Sequence, residues 1–110
     1  MVIDKKENYT LISSDENSFS DFYTSFLKKV NGLDKENLIL KIFCKINISK
    51  KDYILLSNIA QQKKENGTSF VIIYNNINID DFPENFNIVP TLIEAEDILE
   101  MEAMERELGF

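Results

Sequence analysis

The sequence predicts a single α/β domain: a mixed sheet of about five strands, opened by an N-terminal β-hairpin, with helices packed on it. Three observations carry that expectation. Two runs, Leu38-Ile39-Leu40-Lys41-Ile42-Phe43 and Phe70-Val71-Ile72-Ile73-Tyr74, are apolar at nearly every position, as strands covered on both faces are. Between them, Ser49 to Asn66 has a helical pattern and is closed by Gly67. A short third run, Asn87-Ile88-Val89, is followed at once by another helix opening at Thr91.

Taken in order, Val2-Ile3-Asp4-Lys5 and Tyr9-Thr10-Leu11-Ile12-Ser13 are β-prone runs around a polar turn, Lys6-Glu7-Asn8. A polar connection over 13–18 leads to a first helix capped by Ser18 or Ser20. Its apolar residues, Phe19, Phe22, Tyr23, Phe26, Leu27 and Val30, recur at i, i+3, i+4, i+7, i+8 and i+11, one continuous stripe. Four aromatics on that stripe could line a ligand box, but at this spacing they read as a core face. Asn31-Gly32 supplies the stop, and Asp34-Lys35-Glu36-Asn37 turns into the strand at 38–43.

The second helix has Ser49 at its cap and Asp52 three residues on, where the carboxylate suits the positive end of the helix dipole. Leu55, Leu56, Ile59 and Ala60 are its expected buried face, widened by Tyr53 and Ile54. Lys63 and Lys64 suit the negative end, and Gly67 can close the helix in the left-handed conformation. After the strand at 70–74, residues 75–83 have no helical period, and Ile77, Ile79 and Phe82 are expected to tuck this loop onto the core. Thr91 and Glu94 form a capping box for the last helix, about 91–108, with Leu92, Ala95, Ile98, Leu99 and Met101 facing inward.

Composition bounds the function. One hundred and ten residues supply one core, so residues 1–110 are read as one domain. No stretch approaches the roughly 20 apolar residues of a membrane span, and the N-terminus lacks the basic and apolar blocks of a signal peptide. One cysteine, Cys44, excludes an internal disulfide, reads as a buried thiol, and fits a reducing cytoplasm. The chain has no histidine, which removes the commonest general base and the commonest transition-metal ligand together. No metal or cofactor is expected, and a non-enzyme is favoured.

The net charge of −7 is unevenly placed. Residues 1–93 carry twelve acids and eleven bases, a net of −1, whereas Glu94 to Glu107 carries seven acids against Arg106 alone, a net of −6. Such a segment repels nucleic acid and anionic lipid, so neither is an expected partner, and a basic protein surface is.

The segment order β-β-α-β-α-β-(loop)-β-α resembles the STAS domain pattern, that of sulfate transporters and anti-sigma-factor antagonists. Asn37 to Met101 carries the resemblance. Leu38–Phe43 looks like the central strand, and Lys64-Glu65-Asn66-Gly67-Thr68-Ser69-Phe70-Val71-Ile72-Ile73 is similar to the family's passage from helix to strand. Asn87-Ile88-Val89-Pro90-Thr91-Leu92-Ile93-Glu94-Ala95 resembles its last strand and closing helix. Two departures stand out. The family's short helix between the last two strands is replaced by the irregular loop around Asp80-Asp81-Phe82-Pro83. The phospho-accepting members read Asp-Ser-Ser-Gly or Asp-Ser-Thr-Gly at the mouth of the second helix, where this chain reads Asn47-Ile48-Ser49-Lys50-Lys51-Asp52.

The ending, Glu94 to Phe110, resembles a group of short bacterial STAS-like proteins that often carry the name ribonuclease Z. The nuclease of that name holds two zinc ions with a motif rich in histidine and aspartate, which a chain without histidine cannot supply.

The resemblance implies a regulatory domain that binds a protein partner, as anti-sigma-factor antagonists do, with Ser49 as phosphoacceptor or contact beside Lys50 and Lys51. The competing reading of Ser49 is a helix cap worth about 1 kcal/mol. A second docking face is expected along the acidic helix, at Glu100, Met101, Met104, Leu108 and Phe110. A hydrolase would need the carboxylates Asp80, Asp81 and Glu84, whose spacing lacks the glycine and alternating ligands of a calcium loop and reads as a solvated turn. A small subunit of a larger assembly, using the acidic helix, is the third reading.

Overall fold

The computed structural model describes residues 1–30, 32–33, 35–43, 46–74 and 87–109. Along the chain these form β1 (Val2–Lys5), β2 (Thr10–Ser13), α1 (Phe19–Val30), β3 (Leu38–Lys41), α2 (Lys50–Glu65), β4 (Phe70–Ile73), β5 (Ile88–Val89) and α3 (Leu92–Glu107). The expected element order is the observed one. The strands lie side by side in chain order, β1-β2-β3-β4-β5, with β1 antiparallel to β2 and every later pair parallel.

The register turns the apolar runs into rows. Ile3, Ile12, Leu40, Ile72 and Ile88 pair across all five strands, and Leu11, Ile39 and Val71 form a row on the opposite face. The helices connecting β2 to β3 and β3 to β4 both accompany a step in the same direction, and right-handed crossovers then put both on the same side. Accordingly α1 and α2 cover one face, in a core of Ile12, Phe22, Phe26, Leu38, Leu40, Leu56, Ile59, Phe70 and Ile72 among others. Phe26 sits between Phe22 and Phe70, with ring centroids 5.9 and 6.4 Å away. The aromatics of the α1 stripe are therefore core. Ile39, Val71, Ile73 and Val89 form the second face with Ala95 and Leu99 of α3. The result is three layers, two helices over a sheet over one helix.

Several local expectations shift. The strand expected over 38–43 ends at Lys41: Ile42 N–H still donates to Ile73 O, but Phe43 N–H donates to the Ser14 hydroxyl at 2.8 Å, and the ladder stops there. α2 is rotated from its expected aspect. Its buried residues are Tyr53, Leu56, Ile59 and Lys63, Ala60 is partly buried, and Ile54 and Leu55 are 61% and 38% exposed. Lys63, expected as a surface charge answering the dipole, is buried, and its ammonium donates to the carbonyls of Leu33 and Glu36. On α3, Ala95 and Leu99 are buried and Ile98 partly so, but Leu92 and Met101 are exposed. Gly67 is left-handed, at φ +78°, as expected, and so is Gly109 beyond α3, at φ +83°. Cys44 and the loop over 75–86, with Ile77, Ile79 and Phe82, lie outside the described residues.

Candidate functional site

Ser49 stands where the chain leaves the C-terminal end of β3 and enters α2. Its backbone is extended, and its hydroxyl accepts from Asp52 N–H at 3.3 Å while its own N–H donates to Asp52 Oδ2 at 2.9 Å. Both halves of the capping box are therefore made, and the expected cap is real. Upstream, Ile48 packs against the core and Ile46 is fully buried, its carbonyl accepting from the Tyr74 hydroxyl at 2.6 Å. These anchors fix the point at which α2 begins.

Ser49, Lys50 and Lys51 are all exposed. Residues four apart share a helix face, so Lys50 leads onto Ile54 and Lys51 onto Leu55, both exposed apolar side chains. Phe43, at the end of β3, is 50% exposed. Basic and apolar groups thus share one end of the molecule. The Asp52 carboxylate already accepts from the Ser49 backbone N–H, and the chain has no histidine to act as base.

Among the described residues the sheet shows no reversal of strand order that would open a ligand crevice of the doubly wound kind. That crevice forms where strand order reverses, and β2, β3, β4 and β5 follow one another without reversal. Among the described residues no group of three carboxylate or cysteine side chains is placed to hold a metal. Asp80, Asp81 and Glu84 lie outside the described residues. Among the described residues no helix is long and apolar enough to cross a membrane.

At the opposite end of the sheet, the β1–β2 turn and the start of β3 enclose a cavity of about 240 Å³. Two of its charges are matched to each other. Lys5 Nζ lies 3.6 Å from Glu36 Oε1, and Thr10 Oγ1 donates to Glu36 Oε2 at 2.7 Å. The threonine bond foremost, with Lys5 adding, holds the Glu36 carboxyl below the ordinary glutamate range. At about 240 Å³ it falls below the usual size of a small-molecule site.

α3 runs back along the sheet toward that same end. Beyond Leu99 its inward stripe becomes polar: Asn87 Nδ2 donates to Glu102 Oε2 at 3.0 Å, and Arg106 Nη1 donates to Ser69 Oγ at 3.0 Å. Near its start, the Tyr9 hydroxyl donates to Glu96 at 3.3 Å. Of the expected docking face, Met101, Met104 and Leu108 are 50%, 58% and 72% exposed, Glu100 is exposed, and Phe110 lies outside the described residues. Ile93, 72% exposed, joins them and was not anticipated. The signal was present in the spacing, since 93, 97, 101, 104 and 108 follow one helical side.

No family model and no curated protein matches this chain. Among solved structures it is similar to a chain from the molecular architecture of the stressosome, described as a signal integration and transduction hub. The two share 15% identity at a TM-score of 0.56, over 93% of this chain and 98% of that one. At that identity the likeness is one of architecture, and this chain has the STAS-like α/β fold, a mixed five-stranded sheet carrying three helices.

Proposed function

We propose that this protein is a regulatory protein-interaction domain, without catalytic activity, that works in the cytoplasm by binding a protein partner. The contact is the surface at the start of α2, formed by Ser49, Lys50 and Lys51 with the apolar side chains of Ile54 and Leu55. The observation that carries this reading is the pairing of two exposed lysines with two exposed apolar residues one turn on, at a rigidly anchored helix start. The likeness to a chain of a signalling hub supports a regulatory setting and a place within a larger assembly.

The contact is constitutive in this reading. A phosphate on Ser49 would sit beside the Asp52 carboxylate that already holds the Ser49 N–H, so like charges would meet at the cap. The altered motif around Ser49 points the same way.

Affinity purification with the full chain from native lysate tests the proposal. A bound protein lost with both Lys50→Glu and Ile54→Ser is the expected result. A partner retained by both variants, or no bound protein at low or at physiological salt, would overturn it.

A further inference from the structure

α3 is apolar on two opposite sides. Ala95 and Leu99 face the sheet, where they are buried against Ile39, Val71, Ile73 and Val89. At 100° per residue, Ile93, Met101, Met104 and Leu108 fall within about 80° of one another on the far side, and the exposed Asp97 falls in the middle of that arc, a further carboxylate for a basic partner to meet. All four are at least half exposed. Together they make a strip about 22 Å long, fifteen steps of 1.5 Å each, interrupted by Asp97 one turn before Met101. Its flanks are acidic, with Glu94 and Glu105 along one edge and Glu100 and Glu107 along the other, all exposed.

The strip lies on a helix fastened to the sheet at both halves. The Arg106–Ser69 and Asn87–Glu102 hydrogen bonds tie the distal half of α3 to the sheet, where among the described residues no apolar side chain of α3 beyond Leu99 is buried. A partner therefore meets a preformed helix and need not order one.

Charge decides what fits. Two copies of α3 packed face to face would bring together two segments of net −6 each, which opposes a symmetric pair. Anionic lipid and nucleic acid are repelled for the same reason. A helix whose apolar stripe is flanked by lysine or arginine instead places apolar groups on the adaptable methionines and opposite charges along both edges. We infer that the outer face of α3 docks a basic amphipathic helix of a partner protein. This face lies across the sheet from α1 and α2, so it is independent of the surface around Ser49.

The test uses the full chain and a fluorescent synthetic helix about three heptads long, with leucine at a and d and lysine at e and g. Fluorescence anisotropy should show binding that weakens as salt is raised. The double variant Met101→Ser, Met104→Ser alters two exposed positions, so circular dichroism should stay unchanged while affinity falls roughly tenfold or more. Glu100→Lys with Glu105→Lys should weaken binding as well, and Lys50→Glu should leave it alone. The inference is overturned if the peptide fails to bind, or binds the methionine variant equally well. It fails too if a glutamate-flanked version of the peptide binds as tightly. Self-association of the chain abolished by the methionine changes would assign the face to a second copy instead. Recruitment to anionic vesicles would assign it to a lipid surface.

Discussion

Arg106 and Ser69 are 37 positions apart in the chain, yet the guanidinium of one donates to the hydroxyl of the other at 3.0 Å. Ser69 is 1% exposed and begins the approach to β4, so this bond fastens the acidic end of α3 to the interior. It is placed where the helix no longer has an apolar residue to bury.

Arg106→Ala should therefore loosen the end of α3 before it affects the whole fold. Hydrogen exchange should accelerate in residues 103–108 while the amides of β3 and β4 stay protected. The global loss should be about 1 kcal/mol or less, the scale of one partly exposed hydrogen bond. Exchange in α3 that is unchanged by the substitution would show that Asn87 and Glu102 suffice.

Lys63 makes a different kind of tie. Its buried ammonium bridges two carbonyls, of Leu33 and Glu36, between α1 and β3. Lys63→Met keeps the aliphatic length but removes the donors, and buried acceptors left unpaired cost about 1–3 kcal/mol. Urea denaturation should show that loss in the midpoint, with the slope preserved. An unaffected midpoint would mean water replaces the ammonium.

At the mouth of α2, Ser49→Ala should cost about 1 kcal/mol through the lost cap, and Ser49→Asn should restore most of it. Ser49→Asp should fall between them, because a second carboxylate then faces Asp52. Thermal unfolding of the three variants gives the ordering directly. An aspartate variant more stable than the wild type would show that the site welcomes negative charge and would revive phosphorylation.

The Glu36 carboxyl is held below its ordinary range by Thr10 and Lys5. A lowered folded value means the unfolded chain takes up the proton first as pH falls. The contribution is thus complete above the ordinary glutamate value, and is lost as pH drops from there through the folded value. Glu36→Gln should lower the neutral plateau slightly and flatten this acid limb by the same small amount, since the stabilisation lost across the limb is the one the carboxylate supplies at neutral pH. The effect is small because the side chain is partly exposed and its ion pair with Lys5 is screened by solvent. An identical acid limb in the variant would count against any role for this carboxylate.

The architecture was readable because β3 and β4 are apolar on both faces, and because Ser49, Asp52, Thr91 and Gly67 mark helix ends by local chemistry alone. What escaped depends on long-range partners. The polar character of Lys63 says surface, and only the carbonyls of Leu33 and Glu36, supplied some thirty residues away, make burial affordable. Leu55 fits the helical stripe as well as Tyr53 does, and which of them is covered is settled by how α2 rotates against the sheet. The same holds for the far side of α3. Its spacing is visible in the sequence, but exposure of Met101 and Met104 follows from Glu102 and Arg106 turning toward Asn87 and Ser69.

The strand order has a consequence for how the molecule is made. Since β1 through β5 lie side by side in the order of synthesis, each new strand adds to a sheet edge already present. No early strand has to wait for a later one to be inserted between it and its neighbour. Such a chain can assemble progressively as it leaves the ribosome, each step closing only a local loop. The sheet is left with one growing edge, and the second core face stays open until α3, emerging last, lies down across it.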